Sequence, residues 1–435
     1  MRTVEERGIR FIQLWFTDVL GTPKAFSITP AELENALAEG MTFDGSAIDG
    51  FSRVQESDVL AMPDARTFQI LPIGRNGSGQ QIARVVCDIV NLDGTPFDGD
   101  PRNVLRRALD RAREKGFSFY AAPEIEYFYF ADDNHTELLD RGSYFDLSVN
   151  DLPTELRKET VFTLEEMGVP VEYSQHEDAP SQHEIDLRHT DALSMADTVM
   201  TVRLMVKEVA SQHGVYATFM PKPIAGVQGS GMHTHFSLFE GDTNAFHDPG
   251  DPHGLSKNAK GFIAGLLRHA REMTAVTNQW VNSYKRLVVG YEAPVYVAWA
   301  RNNRSAVINV PRSKSGRAES ARIEYRAPDP ACNPYLTFAL VLAAGLNGID
   351  EGYDLPAETS ANLYQLTPEE LRAQGIEPLP GSLSDALTAM EGSALVAETL
   401  GEHVFEWFLR NKRAEWASYK THVSQFELDR YLPVL

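Results

Sequence analysis

The segment Pro123-Glu124-Ile125-Glu126-Tyr127-Phe128-Tyr129-Phe130 constrains this chain more than any other. Its run of aromatic and β-branched residues predicts a strand. Residues i and i+2 of a strand share a face, so Glu124 and Glu126 project side by side from a mostly apolar wall. Adjacent carboxylates repel each other and are costly to desolvate. A divalent cation relieves both costs. On this segment alone, an edge strand with Glu on a wet face is the simpler reading.

Three further stretches repeat the theme. A second acidic pair lies in Gln175-His176-Glu177 and Gln182-His183-Glu184, around the turn signal Asp178-Ala179-Pro180-Ser181. After Gly226-Val227-Gln228-Gly229-Ser230-Gly231 comes a clean alternation: Met232, Thr234, Phe236 and Leu238 on one face, His233, His235 and Ser237 on the other. In Ala321–Arg326, residues Arg322, Glu324 and Arg326 share a face. A half-exposed antiparallel sheet explains any one of these strands. It does not explain polar faces so rich in Glu and His and so poor in Lys, Ser and Thr. Carboxylates with one imidazole suit Mg²⁺ or Mn²⁺ better than Zn²⁺, and the chain has only 2 cysteines for a thiolate site. Arg286, Arg304, Arg322 and Arg326 complete the pattern. Salt bridges account for each singly, but the group is interleaved with Gly290, Glu292 and Glu324. Guanidinium forks facing carboxylate-held metals are the architecture of phosphoryl transfer to an acidic substrate.

Length and composition set the bounds. The 435 residues allow two or three domains, or one large domain with an appendage, and 43% hydrophobic residues supply a sizeable core. A net charge of −21 disfavours nucleic acid and anionic membranes as partners. Cys87 and Cys332 give no disulfide framework, which fits a reducing cytosol. The N-terminus has no apolar signal core. The longest apolar stretch, Leu336 to Leu346, is too short to span a bilayer and reads as a buried helix. Residues 8–28 predict two strands around the turn Asp18-Val19-Leu20-Gly21. A helix is expected over Pro30–Ala38 with Thr29 as its N-cap, and a strand over Ile82–Val90. Gly94–Pro101 reads as a linker, and the helix Arg102–Lys115 opens a larger α+β domain.

The motifs now become recognisable. They are FDGSAIDGF at 43–51, ESD at 56–58, PEIE at 123–126, QHE and QHEID within 175–186, MPKP at 220–223, GSGMHTHFSL at 229–238, VNSYKRLV at 281–288, GYEAP at 290–294, NRSA at 303–306 and NPYL at 333–336. They are long, ordered and correctly spaced. Over nearly all its length the chain resembles the bacterial and archaeal type I glutamine synthetases. The resemblance implies an α+β fold: a small β-grasp-like N-terminal domain (1–98) and a large catalytic domain (99–435) with a curved antiparallel sheet and helices.

What the resemblance implies chemically is ATP-dependent ligation of ammonia to the γ-carboxylate of L-glutamate through γ-glutamyl phosphate. Glu126, Glu177 and Glu184 would hold one Mg²⁺ or Mn²⁺ ion, and Glu124, His233 and Glu324 a second. Arg286 and Arg326 would grip the substrate carboxylates, and the backbone at Gly229 the amino group. Arg304 and Arg322 would face the transferring phosphate. Glu172, His235 and Ser237 would lie along the nucleotide. Asp44, Asp58 and the flap residue Glu292 would attract ammonium and take its proton, with small-domain residues reaching a neighbouring subunit's site. The implied assembly is a cytoplasmic dodecamer of two stacked hexamers, with Tyr419–Leu435 as a clasp between rings. A γ-glutamyl ligase for a polyamine, ethanolamine or another amine shares all but the acceptor pocket. A ring-forming member without catalysis would have no reason to keep such carboxylates.

Departures from the family pattern are Gln228 for a frequent Asn, Val289 for a frequent Pro and Asn309 for an Arg near the phosphates. Loss of a fixed cation there costs about 2–4 kcal/mol of transition-state stabilisation unless compensated. Arg53 matches an arginine that couples glutamine binding to inhibition in the feedback-regulated subgroup. Tyr364 aligns with the adenylylated tyrosine of another subgroup, whose characteristic insertion this chain lacks, so no modification is expected there.

Overall fold

The computed structural model describes residues 1–48, 50, 58–72, 81–147, 151–301, 303–312, 317–360 and 362–435. Arg53 therefore lies outside the described residues. The chain is α+β. Its first sheet contains β1 (Ile9–Thr17), β2 (Pro23–Ile28), β3 (Met41–Asp44), β4 (Asp58–Pro63), β5 (Gln69–Leu71) and β6 (Gln81–Val90), in the order β2-β1-β6-β4-β3 with β5 also on β6. β1 and β6 run parallel and the other pairs antiparallel, the mixed sheet of a β-grasp. The expected β1–β2 hairpin forms because the Asp18 carboxylate accepts from the amides of Leu20 (3.0 Å) and Thr22 (2.8 Å). Ile12, Leu14, Val59, Ala83, Val85 and Ile89 fill a core of its own under this sheet.

Two local expectations need correction. Thr29 makes no side-chain cap. The segment Pro30–Glu32 is a 3₁₀ turn, and the α-helix begins at Leu33 and runs to Glu39. Residues 94–101 are no free linker. Phe97 is buried in the small core. Asp100 is buried and accepts from the amides of Ile89 (2.9 Å) and Arg102 (3.0 Å), starting a helix that spans Pro101–Glu114. From that helix the buried Arg102 guanidinium reaches Asp64 (3.1 Å) and Asp88 on the small sheet and Asp197 (2.9 Å) on the helix Ala192–Gln212. This shared cation ties the small unit to the large one. Asp197 and Arg102 are both buried, so removing Arg102 would leave a carboxylate without its counter-charge in the interior.

The second sheet contains β7 (Ser118–Phe130), β8 (Val171–His176), β9 (Gln182–Leu187), β10 (Thr190–Asp191), β11 (Tyr216–Thr218), β12 (Thr234–Glu240), β13 (Thr243–Asn244), β14 (Tyr296–Ala300), β15 (Ala306–Asn309) and β16 (Ile323–Tyr325). Its order is β14-β15-β16-β12-β7-β9-β8, antiparallel except for β14–β15. The sheet is curved. One face presents Phe119, Ala121, Ile125, Tyr127, Phe236, Leu238 and Ile323 to the helices Ala192–Gln212, Lys257–Thr277 and Pro334–Asp350. The last of these is largely apolar and mostly buried through Leu336–Leu346, as read from the sequence. The other face opens on a cavity. Among the described residues, no helix is long and apolar enough to cross a membrane.

Candidate active site

The alternation of β7 carries Glu124 and Glu126 to the same wall, as their spacing requires. Antiparallel pairing then brings the other candidates alongside. The Glu124 amide donates to the His233 carbonyl (2.8 Å) just before β12, and β16 lies on β12 with Glu324 opposite His235. Oxygens of Glu124 and Glu324 and a nitrogen of His233 consequently lie within 4.8 Å of one another. His233 Nδ1 is 3.5 Å from Glu124 and 3.8 Å from Glu324. Burial, and then the nearby Arg326, push the His233 imidazole toward its neutral form, the form that ligates metals. Burial opposes the Glu124 charge, but the imidazoles of His233 and His235 outweigh it and hold the carboxyl below the ordinary range. This trio is one of the two ligand sets expected from the sequence.

The other set, Glu126, Glu177 and Glu184, lines the same cavity of ≈ 240 Å³ but does not close to that spacing. Glu126 accepts from the Gly231 amide (2.9 Å) and Gln182 Nε2 (3.0 Å), and Glu184 accepts from Gln175 Nε2. Burial, and then repulsion from Glu177 for the first and from Asp186 for the second, push Glu126 and Glu184 well above the carboxylate range. Burial pushes Glu177 up to about 7. Glu177 Oε2, Gln175 Oε1 and Asp186 Oδ1 are buried without hydrogen-bond partners. Orphaned buried oxygens among repelling carboxylates are what a divalent cation satisfies, so the residues present fit such ions.

Three cationic groups enter from another side. Arg286 is buried, donating to the carbonyls of Ala327 (2.8 Å) and Arg326 (3.2 Å). Arg326 Nε pairs with Glu324 (3.1 Å), and its Nη1 donates to the Arg304 carbonyl. Arg304 faces Glu292 at 3.6 Å, both largely exposed. Glu292 sits at φ +55°, a strained position for a non-glycine residue. Beside it, Tyr291 lies under the Lys222 ammonium (3.9 Å), and Tyr364 Oη donates to the Ala293 carbonyl (2.6 Å). Gly229 and Gly231 are required by close approach. A Cβ would lie 2.3 Å from the Pro221 carbonyl oxygen at the first and 2.6 Å from Arg286 Nη2 at the second.

Other expected site residues stand outside the cavity lining. Arg322 Nε donates to His235 Nδ1 (3.3 Å), which directs His235 Nε2–H to Glu124 (2.8 Å). These two back the lining without forming it. Glu172 is exposed on β8, while Ser237 is buried in β12. Asp44 and Asp58 face each other across β3–β4, exposed, and line no part of this cavity. The sequence reading missed Gln175, Gln182 and Asp186. The parity rule that joined Glu124 to Glu126 places them on the ligand faces of β8 and β9. It also missed Tyr144, a lining residue on a loop with no periodic signal.

A carboxylate-walled cavity fit for divalent cations and faced by arginines defines a metal-dependent phosphoryl-transfer enzyme. The chain matches the family models for the glutamine synthetase β-grasp domain over residues 8–92 and the glutamine synthetase catalytic domain over residues 98–431. It belongs to the glutamine synthetase family. It is 56% identical to the glutamine synthetase of Mycolicibacterium smegmatis, over 99% of this chain and 98% of that one. Identity is 50% to the enzyme of Halobacterium salinarum, over 99% of this chain and 95% of the other. A solved GmaS/ADP complex superposes with a TM-score of 0.88 at 32% identity, covering 99% of each chain. Membership of the family implies ATP and a divalent metal.

Proposed function

We propose that this protein ligates ammonia to the γ-carboxylate of glutamate at the expense of ATP, giving glutamine, ADP and phosphate. The observation that carries the reading is the convergence of Glu124, His233 and Glu324 beside Glu126, Glu177 and Glu184, opposite Arg286, Arg304 and Arg326. In this proposal Glu126, Glu177 and Glu184 hold one Mg²⁺ or Mn²⁺ and Glu124, His233 and Glu324 another. When bound, the ions supply Lewis-acid charge to the phosphoryl group and the carboxylate it activates.

The side chains divide the remaining work. Arg286 and Arg326 orient the substrate carboxylates through forked donation, and the Gly229 backbone takes the amino group. Arg304 and Arg322 face the charge that grows on the transferring phosphate. Glu172, His235 and Ser237 lie along the nucleotide. The γ-carboxylate attacks the γ-phosphorus and ADP leaves. Ammonia then attacks the acyl phosphate carbonyl and inorganic phosphate leaves. Glu292, with Asp44 and Asp58 from a neighbouring subunit, attracts ammonium and accepts its proton. Residues 1–98 and 99–435 act as the two domains of a cytoplasmic dodecamer, and the exposed Phe426, Leu428, Tyr431 and Leu432 clasp the opposite ring.

The test is kcat/KM with ammonium against putrescine, spermidine and ethanolamine at fixed ATP and glutamate. Ammonium is expected to be preferred. A clear preference for a larger amine overturns the acceptor assignment.

A further inference from the structure

Behind the cavity lies a cluster that the reaction itself does not use. β8 and β9 pair Gln175 with Glu184 and His176 with His183. Alternation puts Gln175, Glu177, Gln182 and Glu184 on the cavity face and both imidazoles, fully packed, on the opposite face. The two rings, 4.7 Å apart, converge on one carboxylate, that of Asp140. Asp140 Oδ1 faces His176 Nε2 at 2.8 Å, and Oδ2 faces His183 Nε2 at 3.1 Å.

Each remaining ring nitrogen is also spent. Arg157 Nη1 donates to His183 Nδ1 (2.6 Å), so the proton of that ring is on Nε2 and points at Asp140. His176 Nδ1 donates to the Glu177 carbonyl (2.6 Å), the backbone of a cavity carboxylate. The loop bearing Asp140 is locked to the hairpin turn in turn. Ser181 N and Gly142 N donate to Asp140 Oδ1 (2.9 and 3.0 Å), while Ser181 Oγ accepts from the amides of Leu139 (2.8 Å) and Asp140 (3.2 Å). Ser181 is held at φ +62° by these bonds. Gly142 packs so closely that a Cβ would lie 2.4 Å from His176 Nε2. Two residues on, Tyr144 enters the cavity. With its donors and acceptors paired and a guanidinium against it, the cluster has no vacancy for a cation of its own.

We propose that Asp140 is a positioning residue: acting through His176 and His183, it sets the backbone placement of Glu177 and Glu184, and so the geometry with which they take a divalent cation. The inference rests on the reading of the cavity as a divalent-cation site. Outer partners that orient ligands change metal affinity about 10–100-fold when removed.

The experiment is Mn²⁺ titration of the purified protein without nucleotide, followed by loss of the free-ion electron paramagnetic resonance signal, alongside Tm. Asp140→Asn and His176→Gln are each expected to weaken Mn²⁺ Kd by at least about tenfold, and the double variant to be no weaker than the worse single one. Should Asp140→Asn fail to fold, His176→Gln alone is read. A purely structural role would lower Tm and leave Kd at the wild-type value. Loss of one of the two Mn²⁺ equivalents in Glu184→Ala, with wild-type stoichiometry and Kd kept in both Asp140→Asn and His176→Gln, sinks this inference alone. Uptake unchanged in Glu184→Ala sinks the reading of the cavity and the inference with it.

Discussion

Asn309 Nδ2 donates to Glu324 Oε2 at 2.6 Å, and the two residues face each other in the β15–β16 ladder. The family resemblance implies an arginine at position 309. This chain instead places a neutral donor on a proposed metal ligand. Arg326 holds the other oxygen of Glu324 at 3.1 Å, so the carboxylate is oriented from both sides. Asn309→Ala is expected to weaken Mn²⁺ binding about tenfold with little change in Tm. Titration of the free enzyme checks it, and an unchanged Kd would mean the contact orients nothing.

Glu126 is buried, and its charge is opposed first by burial and then by Glu177. Its removal should therefore separate function from stability. Glu126→Ala is expected to lose roughly 10²–10³ in glutamine formation and to bind divalent ions more weakly. In the metal-free protein the truncation relieves the cost of burying Glu126 but orphans the Gly231 amide and Gln182 Nε2, so Tm should move far less than activity. Full activity in this variant would remove Glu126 from the ligand set.

The carboxylate wall makes metal uptake pH-dependent with a definite sign. Burial raises Glu177 to about 7, above the unfolded value near 4.3. Its stabilising contribution is then complete below that unfolded value and is lost as pH rises toward and through about 7. Metal-free protein should lose Tm between pH 5 and pH 8, and Glu177→Gln should reduce that loss. Divalent ions require the ionised form, so Mg²⁺ should bind more tightly at pH 8 than at pH 6 and release protons on binding. Calorimetry in buffers of different ionisation enthalpy measures the release. Proton uptake, or tighter binding at the lower pH, would contradict the assignment.

The parts of the site legible in the sequence are those governed by strand parity. Glu124 with Glu126, and His233 with His235, need only a period of two to share a face. Their convergence with Glu324 was implied only by the family resemblance, since it depends on β16 lying beside β12. The contact of Asn309 with Glu324 was not legible, because it depends on which strands are neighbours and in what register. The same is true of Asp140, whose loop meets His176 and His183 only through tertiary packing. Tyr144 lies on a loop without periodicity. The helix start at Thr29 failed for a different reason: the proline that suits a first turn was accommodated in a 3₁₀ turn, and the cap went unused. Residues 94–101 carried a linker's composition, yet buried Phe97 and Asp100 anchor them.

Asp44 and Asp58 pose the question of where one site ends and the next begins. They are paired across β3–β4, exposed, and absent from the lining of their own chain's cavity. If a neighbouring subunit's cavity uses them, two inactive variants should complement each other. Asp58→Ala retains the Glu126 wall, and Glu126→Ala retains the small-domain aspartates. In mixed rings from balanced co-expression, about one site in four joins an intact wall to an intact aspartate pair. Activity near a quarter of wild type is expected where each variant alone is nearly inactive, with mixed assembly verified by differential tagging. Mixed rings as inactive as either parent would mean that each chain completes its own site, and the proposed sharing of Asp44 and Asp58 would have to be abandoned.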